Sequence, residues 1–194
     1  MTAVLKTKLT AREYLAIESR AEFKSEFFNG EMFAMSGASP RHNFILENLS
    51  GEIFARLKGG PCRAASSDLR VLVDRTGLYT YPDLLIVCGP LELDPENSHT
   101  ITNPTAIVEV LSPSTEKYDR GAKFRNYQQI PSLKEYVLVA QDEAVIERFV
   151  RQADGSWGLV SFVGLEATLA FTTVPVQIPL ADVYAGISFD EPAT

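Results

Sequence analysis

Apolar runs of strand length dominate the centre of the chain. Three of them predict β-strands at residues 68–74, 81–88 and 106–111, and Arg75-Thr76-Gly77 supplies a turn between the first two. The stretch GPLELDPENSHTITNP at residues 89–104 predicts a long loop before the third strand. The centre of the chain therefore predicts a sheet.

Two helices flank these strands. Before them, one apolar residue recurs at every fourth position: Ile45, Leu49, Ile53 and Leu57. That spacing predicts an amphipathic helix at residues 42–58, with Ser39 as N-cap and Pro40 in the first turn. After the third strand, SPST at residues 112–115 predicts the cap of a second helix, which extends to about Gln129.

The N-terminal part of the chain predicts a short helix and a hairpin. Thr10 and Glu13 have the spacing of a capping box, so a helix is expected to begin here and to extend to about Ser19. Behind it, SEFFNGEMFAM contains two short runs around Asn29-Gly30, a strong signal for a tight hairpin turn.

The C-terminal part predicts more strands. Residues 135–140 and 144–151 predict a strand pair, and SWGLVSFV, ATLAFTT and VPVQIPL predict short strands before a helical turn in LADVYAG. The order of helix, three strands, helix and strand is typical of a mixed sheet with helices, in the α/β or α+β class. No repeat, low-complexity tract or linker interrupts the chain, so we expect a single domain over residues 1–194 with a core at about 40–150.

The composition excludes several classes of protein. Hydrophobic residues make up 45% and charged residues 22% of the 194 residues, which is ordinary for a globular domain. No apolar run approaches the roughly 18 residues of a membrane helix, and MTAVLKTKLTAREY lacks the apolar core of an export signal. Cys62 and Cys88 favour a reducing cytoplasm over a disulfide framework, and no CxxC or Cys/His spacing points to zinc. We therefore expect a cytoplasmic protein.

The net charge of −7 argues against nucleic acid being held by an overall basic surface. One basic run remains within 18 residues: Lys117, Arg120, Lys123, Arg125 and Lys134. It is either a local basic patch beside a metal or, more commonly, a solvated helix face.

Glu109 stands in the middle of the strand predicted at residues 106–111, among apolar neighbours. A buried carboxylate without a partner costs several kcal/mol in order of magnitude, so Glu109 requires an explanation. Asp83 occupies a similar place in the strand at residues 81–88. If the two strands are neighbours, the carboxylates repel each other unless a proton or cation lies between them. Oxygen ligands of this kind suit magnesium or manganese.

The following helix adds Asp119 and Lys123, which are four residues apart and therefore on one face. If Lys123 leans back toward the two carboxylates, the set suits phosphodiester hydrolysis, in which a metal activates water and the ammonium stabilises developing charge. Simpler interpretations exist: Asp83 starts a strand, Asp119 interacts with the helix dipole, and Lys123 is a surface lysine.

The chain resembles the Uma-two family of restriction-endonuclease-like proteins, within the PD-(D/E)XK nuclease superfamily. The matching segments lie between about residues 10 and 185: SEFFNGEMFAMSGASPRHN, SDLRV, YPDLLIVC, NPTAIVEVLSPSTEKYDRGAKFRNYQQIPSLKEYVLV and GSWGL. The combination EVLSPST…YDRGAKFRNY is the specific part of this resemblance, whereas a lone PD is weak.

The resemblance implies a restriction-endonuclease-like αβββαβ core with a central mixed sheet, an extra N-terminal hairpin and C-terminal strands. It implies Asp83 and Glu109 as ligands of Mg²⁺ or Mn²⁺, and DNA as the substrate. Leu111 stands where the superfamily pattern has a lysine, and the resemblance transfers that lysine to Lys123 in the following helix.

Four accessory positions are less specific. Glu26 lies in the E…NGE hairpin segment and Asp68 opens the first predicted core strand; each is either a further ligand or a solvent-facing carboxylate. His42 either approaches phosphate or is only a polar residue at a helix start. Asp119 belongs to the same helix face as Lys123.

Two functions from different classes follow. The first is a magnesium-dependent endonuclease acting on DNA, and the second is a catalytically inactive nuclease-fold protein that serves as a nucleic-acid-binding or assembly module. Asp83, Glu109 and Lys123 favour the first, whereas Leu111 and the acidic net charge favour the second. No GxSxG, P-loop or GxGxxG motif supports another class of enzyme. A homodimer is expected by analogy with enzymes that make double-strand cuts.

Overall fold

The computed structural model describes residues 8–35 and 37–189. Its helices and strands follow the chain in this order: α1 (Ala11–Glu18), β1 (Ser25–Phe28), β2 (Glu31–Ala34), α2 (Pro40–Leu57), β3 (Cys62–Ser66), β4 (Arg70–Val73), β5 (Leu78–Thr80), β6 (Leu84–Cys88), β7 (Leu93–Asp94), β8 (Asn97–Ile101), β9 (Ala106–Val110), α3 (Glu116–Tyr118), a π-helical turn (Asp119–Lys123), α4 (Phe124–Tyr127), β10 (Glu135–Val139), β11 (Val145–Arg151), β12 (Trp157–Val163), β13 (Thr168–Ala170), β14 (Gln177–Pro179) and α5 (Leu180–Val183). None of the helices in this part of the chain is long and apolar enough to cross a membrane.

The central sheet has the strand order β12-β11-β10-β9-β6-β3. β9 lies parallel to β10 and antiparallel to β6, so the sheet is mixed, as the sequence predicted. β9 is buried along its whole length and reads as an apolar run apart from Glu109, because both of its faces are covered.

One face of the central sheet is covered by α2 and the C-terminal part of the chain. The predicted apolar stripe of α2, which includes Ile45, Leu49 and Ile53, is fully buried in a cluster with Val108 and Val137. Residues of the β13–β14 hairpin and of α5 extend the same cluster. The helix at residues 40–57 therefore forms for the reason that its spacing indicated, with the Ser39 side chain capping its N-terminus.

The opposite face is covered by a second sheet and by the helix that follows β9. The second sheet has the order β2-β1-β5-β4-β8-β7. Ile107 and Leu111 pack in one cluster with Val71 and Leu78 of this sheet and with Phe124 of the helix.

The predicted N-terminal elements are present. The capping box of α1 forms between Thr10 and Glu13. Asn29 and Gly30 both have positive φ, 53° and 83°, as a two-residue hairpin turn requires. Tyr14 anchors α1 to the second sheet, since its ring stacks on Phe27 at a centroid distance of 4.9 Å.

Two predictions about the centre of the chain need correction. The strand predicted at residues 68–74 forms β4, but β4 belongs to the second sheet, and the central sheet uses β3 at its edge instead. The sequence of β3, CRAAS, has small and polar residues and gave no apolar pattern. The predicted loop at residues 89–104 contains the β7–β8 hairpin, whose short β7 has only one buried residue.

The prediction of unpaired cysteines was also wrong. Cys62 and Cys88 form a disulfide, and the pairing of β3 with β6 places them directly opposite each other with a Cα–Cα distance of 4.0 Å. The sequence could not reveal this, because the pairing depends on β3, which the pattern did not predict.

Candidate functional site

A cleft of about 720 Å³ opens beside the end of β9. Its walls are the β1–β2 hairpin, the N-terminal turn of α2 and the helix that follows β9. The polar side chains that line it include most of the residues singled out in the sequence: Glu26, His42, Asp83, Glu109, Asp119 and Lys123. The cleft therefore brings these side chains together.

Asp83 and Glu109 meet where β6 and β9 run side by side. The register pairs Leu84 with Val108, and the next pair along the strands would be Asp83 and Glu109. The backbone N–H of Asp83 donates to Glu109 Oε2 at 3.2 Å, and the N–H of Val110 donates to Asp83 Oδ2 at 2.8 Å. At this end of the sheet, the two side-chain carboxylates accept hydrogen bonds from backbone N–H groups of the neighbouring strand. These bonds hold both carboxylates at the cleft.

Lys123 reaches the same point from the helix. Its Nζ lies 2.9 Å from Glu109 Oε1, 3.5 Å from Glu26 Oε1 and 3.5 Å from Asp119 Oδ1. Asp119 and Lys123 share a helix face, as their spacing predicted. They are the first and last residues of a π-helical turn. Such turns are rare and recur at functional sites in proteins.

Two tyrosines that the sequence reasoning did not single out hold the carboxylates in place. Tyr127 donates its hydroxyl to Glu109 Oε1 at 2.9 Å, and Tyr118 donates to Glu26 Oε2 at 3.0 Å. A signal for Tyr127 was available, because it follows Lys123 by four residues and so lies on the same helix face. The contact between Tyr118 and Glu26 joins segments 92 residues apart, so nothing local indicated it.

His42 contacts Asp83 rather than standing free at the start of its helix. Its Nε2 lies 3.1 Å from Asp83 Oδ2. Because an ionised carboxylate only accepts hydrogen bonds, we assign the ring proton to Nε2. The other ring nitrogen, Nδ1, is buried without a hydrogen-bond partner among the described residues.

The structure does not bring Asp68 to the cleft. Its side chain is 87% exposed and pairs with Lys24, and it lies in the turn between β3 and β4. The residues of the basic run do not lie together in the structure. Lys123 is buried inside the cleft, whereas Arg120 forms ion pairs with Glu116 and Glu147 at the surface. A continuous basic patch beside the carboxylates is therefore not formed by that run.

The cleft holds more negative than positive charge. Four carboxylates line it, those of Glu26, Asp83, Glu109 and Asp119, and Lys123 is the only lysine among the described lining residues. The pKa of Glu109 is raised to about 8, mainly by burial; Lys123 opposes this rise, and the nearby Asp83 and Asp119 add to it. Burial likewise raises the pKa of Asp119.

Lys123 remains charged in this setting. Burial acts to lower its pKa, but the surrounding groups, Glu109 first, hold that pKa well above its ordinary value. A protonated ammonium can stabilise negative charge, but it cannot accept a proton from water.

Carboxylate oxygens such as those of the cleft are the kind of donor that a hard divalent cation prefers. Within residues 8–35 and 37–189, no group of three or more His, Cys, Asp or Glu side chains is arranged to hold a metal ion. Magnesium commonly keeps several waters and binds through one or two carboxylates together with substrate phosphates. Asp83 and Glu109 can provide these two carboxylates, and the charge excess of the cleft favours a cation.

Comparison with known proteins agrees with the family resemblance. The sequence profile of the Uma2 family, described as "Putative restriction endonuclease", matches residues 11–181. Two uncharacterized proteins of Synechocystis sp. are similar to this chain: slr1290 is 37% identical over 182 residues, 94% of each chain, and sll1609 is 34% identical over 177 residues, 91% of this chain and 100% of the relative.

A solved structure shares the fold. It is a protein of Anabaena variabilis described as "a putative nuclease belonging to DUF820", and it superposes with a TM-score of 0.73 at 16% identity over 89% of this chain and 96% of that one. This likeness confirms the predicted restriction-endonuclease-like fold.

Proposed function

Since the chain belongs to the Uma2 family of restriction-endonuclease-like proteins, we propose that it is a metal-dependent endonuclease that hydrolyses phosphodiester bonds of DNA. The observation that carries this proposal is the excess of carboxylates at Lys123. Three of them lie within 3.5 Å of a single ammonium, and Asp83 adds a fourth carboxyl group to the cleft. Buried charge of one sign is costly unless a cation is recruited to it.

Asp83 and Glu109 are the residues that would hold Mg²⁺ or Mn²⁺. When bound, such an ion polarises the phosphate and lowers the pKa of a bound water. His42 orients Asp83 through its Nε2–H, and Tyr127 orients Glu109 through its hydroxyl. Supporting contacts of this kind typically matter 10- to 100-fold, in order of magnitude, for metal affinity.

Lys123 supplies fixed positive charge at the reacting phosphate. Its burial excludes water, and its contact with Glu109 holds the ammonium next to the metal ligands. Preorganised charge of this kind typically contributes about 10²–10³-fold to a reaction rate. Asp119 and Glu26 position the ammonium from two other sides of the cleft.

A second candidate function is a nuclease-fold protein that binds nucleic acid without cutting it. The favouring observation is that Lys123 already pairs with three carboxylates, as a structural ion-pair network would. In that case the ammonium would neutralise the site and no metal would be required.

Incubation of the pure protein with supercoiled plasmid and with oligonucleotide DNA, with and without Mg²⁺ or Mn²⁺, separates the two functions. We expect metal-dependent cleavage that is lost in Asp83→Asn and reduced about 10²-fold or more in Lys123→Ala. Matched controls are Asp68→Asn and Lys117→Ala, whose side chains are exposed and lie outside the cleft. DNA binding without cleavage under every metal condition would instead support the second function.

The proposed homodimer requires a separate measurement. Many enzymes that cut both strands are two-fold dimers, so a homodimer is expected here by analogy with them. Light scattering of the protein with and without DNA tests this expectation, and a monomer under both conditions would contradict it.

A further inference from the structure

The chemical groups of the cleft lie at its closed end. Glu109 is 3% exposed, Asp119 3% and Lys123 5%, although all three line the cleft. The volume of about 720 Å³ is in the range of pockets that enclose a small ligand. A phosphodiester that reaches Glu109 must therefore enter a recess.

The charge of the cleft is unsuited to holding a duplex by its phosphates. Duplex binding rests mainly on lysine and arginine contacts to the backbone. The described lining residues contain one lysine, Lys123, and no arginine, against four carboxylates. Affinity for a nucleic acid must then come from another kind of contact.

Two aromatic rings at the cleft can provide it. Phe33 is 49% exposed and lies directly opposite Glu26 in the β1–β2 pair, so it shares the cleft face of the hairpin. Phe33 packs in none of the hydrophobic clusters of the described residues. Tyr118 is 36% exposed and borders Glu26 from the other wall through its hydroxyl. Both rings thus lie next to a carboxylate that contacts Lys123.

We propose that the cleft receives an unpaired DNA strand, with a base stacked on Phe33 and Tyr118 and the adjoining phosphodiester at Asp83, Glu109 and Lys123. The proposal rests on the proposed nuclease function and specifies its substrate as a single strand. In a single strand the π-face of each base is accessible. Stacking of these faces on aromatic side chains is how proteins hold single strands without reading their sequence. In a stiff duplex the bases are stacked on each other, and such a duplex cannot enter a recess of this size.

Fluorescence anisotropy tests the binding mode without requiring cleavage. A labelled oligonucleotide is titrated as a single strand and as the fully paired duplex, with Ca²⁺ in place of Mg²⁺, and a single-stranded RNA of the same sequence is included. We expect the single strand to bind more tightly than the duplex. Phe33→Ala should weaken single-strand binding about tenfold to a hundredfold, and Phe33→Trp should retain it.

Phe44→Ala is the matched control, because Phe44 is 62% exposed on α2 and does not line the cleft. Equal binding of duplex and single strand, absence of single-strand binding, or equal effects of Phe33→Ala and Phe44→Ala would each overturn the inference. Binding of single-stranded RNA through Phe33 more tightly than the DNA strand would overturn the assignment of the strand as DNA.

A cleavage assay separates failure of this inference from failure of the proposed function. Duplexes with and without an unpaired segment are incubated with Mn²⁺, and cleavage is expected within the unpaired segment. If fully paired DNA is cut equally fast, the nuclease function stands and the single-strand inference falls. If single strands bind through Phe33 but are not cut, the inference about binding stands and the proposed hydrolysis falls.

Discussion

Replacement of Glu109 by glutamine should make the metal-free protein more stable at alkaline pH. Glutamine keeps the shape of the side chain and removes its charge. In the folded protein the pKa of Glu109 is raised from 4.5 to about 8, mainly by burial. The folded state therefore holds a proton that the unfolded chain releases at a much lower pH.

The sign and size of the effect follow from proton linkage. Between pH 4.5 and about 8 the folded state binds more protons than the unfolded state, so the free energy of unfolding falls as the pH rises. Each pH unit is worth about 1.4 kcal/mol for one group, which gives a loss on the order of 4 kcal/mol across this interval. Asp119 has a raised pKa as well, and its contribution has the same sign.

Urea denaturation in EDTA at several values between pH 5 and pH 8.5 measures this loss. At a slope of about 2 kcal/mol per molar urea, 4 kcal/mol corresponds to a midpoint change of roughly 2 M. Glu109→Gln should remove most of the change, because the difference between the two proteins isolates this group from Asp119. The two proteins should be about equally stable at pH 5, where Glu109 is protonated. Glu47→Gln, at an exposed position of α2, is the matched control and should follow the parent.

Two outcomes would refute this reasoning. If Glu109→Gln shows the same pH profile as the parent, burial does not raise the pKa of Glu109. If it loses about 3–5 kcal/mol at every pH, Glu109 is a structural partner of Lys123 whose charge the fold requires.

Three further predictions concern the same cleft. Lys123→Met should destabilise the metal-free protein by about 3–5 kcal/mol in urea denaturation, because it leaves three carboxylates without their common counter-charge; an unchanged midpoint would contradict it. Mn²⁺ should raise the melting temperature of the parent and of Asp68→Asn but not that of Asp83→Asn, since only a folded site binds the ion; an equal rise in Asp83→Asn would exclude Asp83 as a ligand. His42→Ala should weaken Mn²⁺ binding in calorimetry by about 10- to 100-fold through the loss of its contact with Asp83, and unchanged affinity would show that this contact is only structural.

Local sequence patterns predicted those elements whose structure depends only on their own residues. The stripe of α2 and the Asn29-Gly30 turn needed only periodicity and turn chemistry, and both are present. It was harder to predict from the sequence which strands form the central sheet. β3 contains two alanines and an arginine, and its place at the sheet edge follows from pairing with β6 rather than from its own composition.

The candidate site shows the same division. Asp83, Glu109 and Lys123 were predicted together: Glu109 was anomalous within an apolar strand, Lys123 shared a helix face with Asp119, and the family resemblance assigned all three to one motif. The place of Glu26 could not be derived from such spacings. It reaches Lys123 only because β1 pairs with β5 in the second sheet, where Thr80 donates to its carboxylate. Such a contact depends on tertiary structure that no local pattern encodes.

The position of the lysine has a physical reason in this fold. Leu111 follows the end of β9, two residues after Glu109, but it is 4% exposed and packs with Ile107 and Phe124 in the core between the sheets. A lysine there would have to displace that packing and would bury its stem among apolar groups. The helix offers another route, because Lys123 enters the cleft beside the apolar cluster and reaches Glu109 at 2.9 Å. Position 111 can then hold an apolar residue that packs in the core, while the helix supplies the positive charge. The absence of a lysine at position 111 therefore does not by itself remove the positive charge from the site.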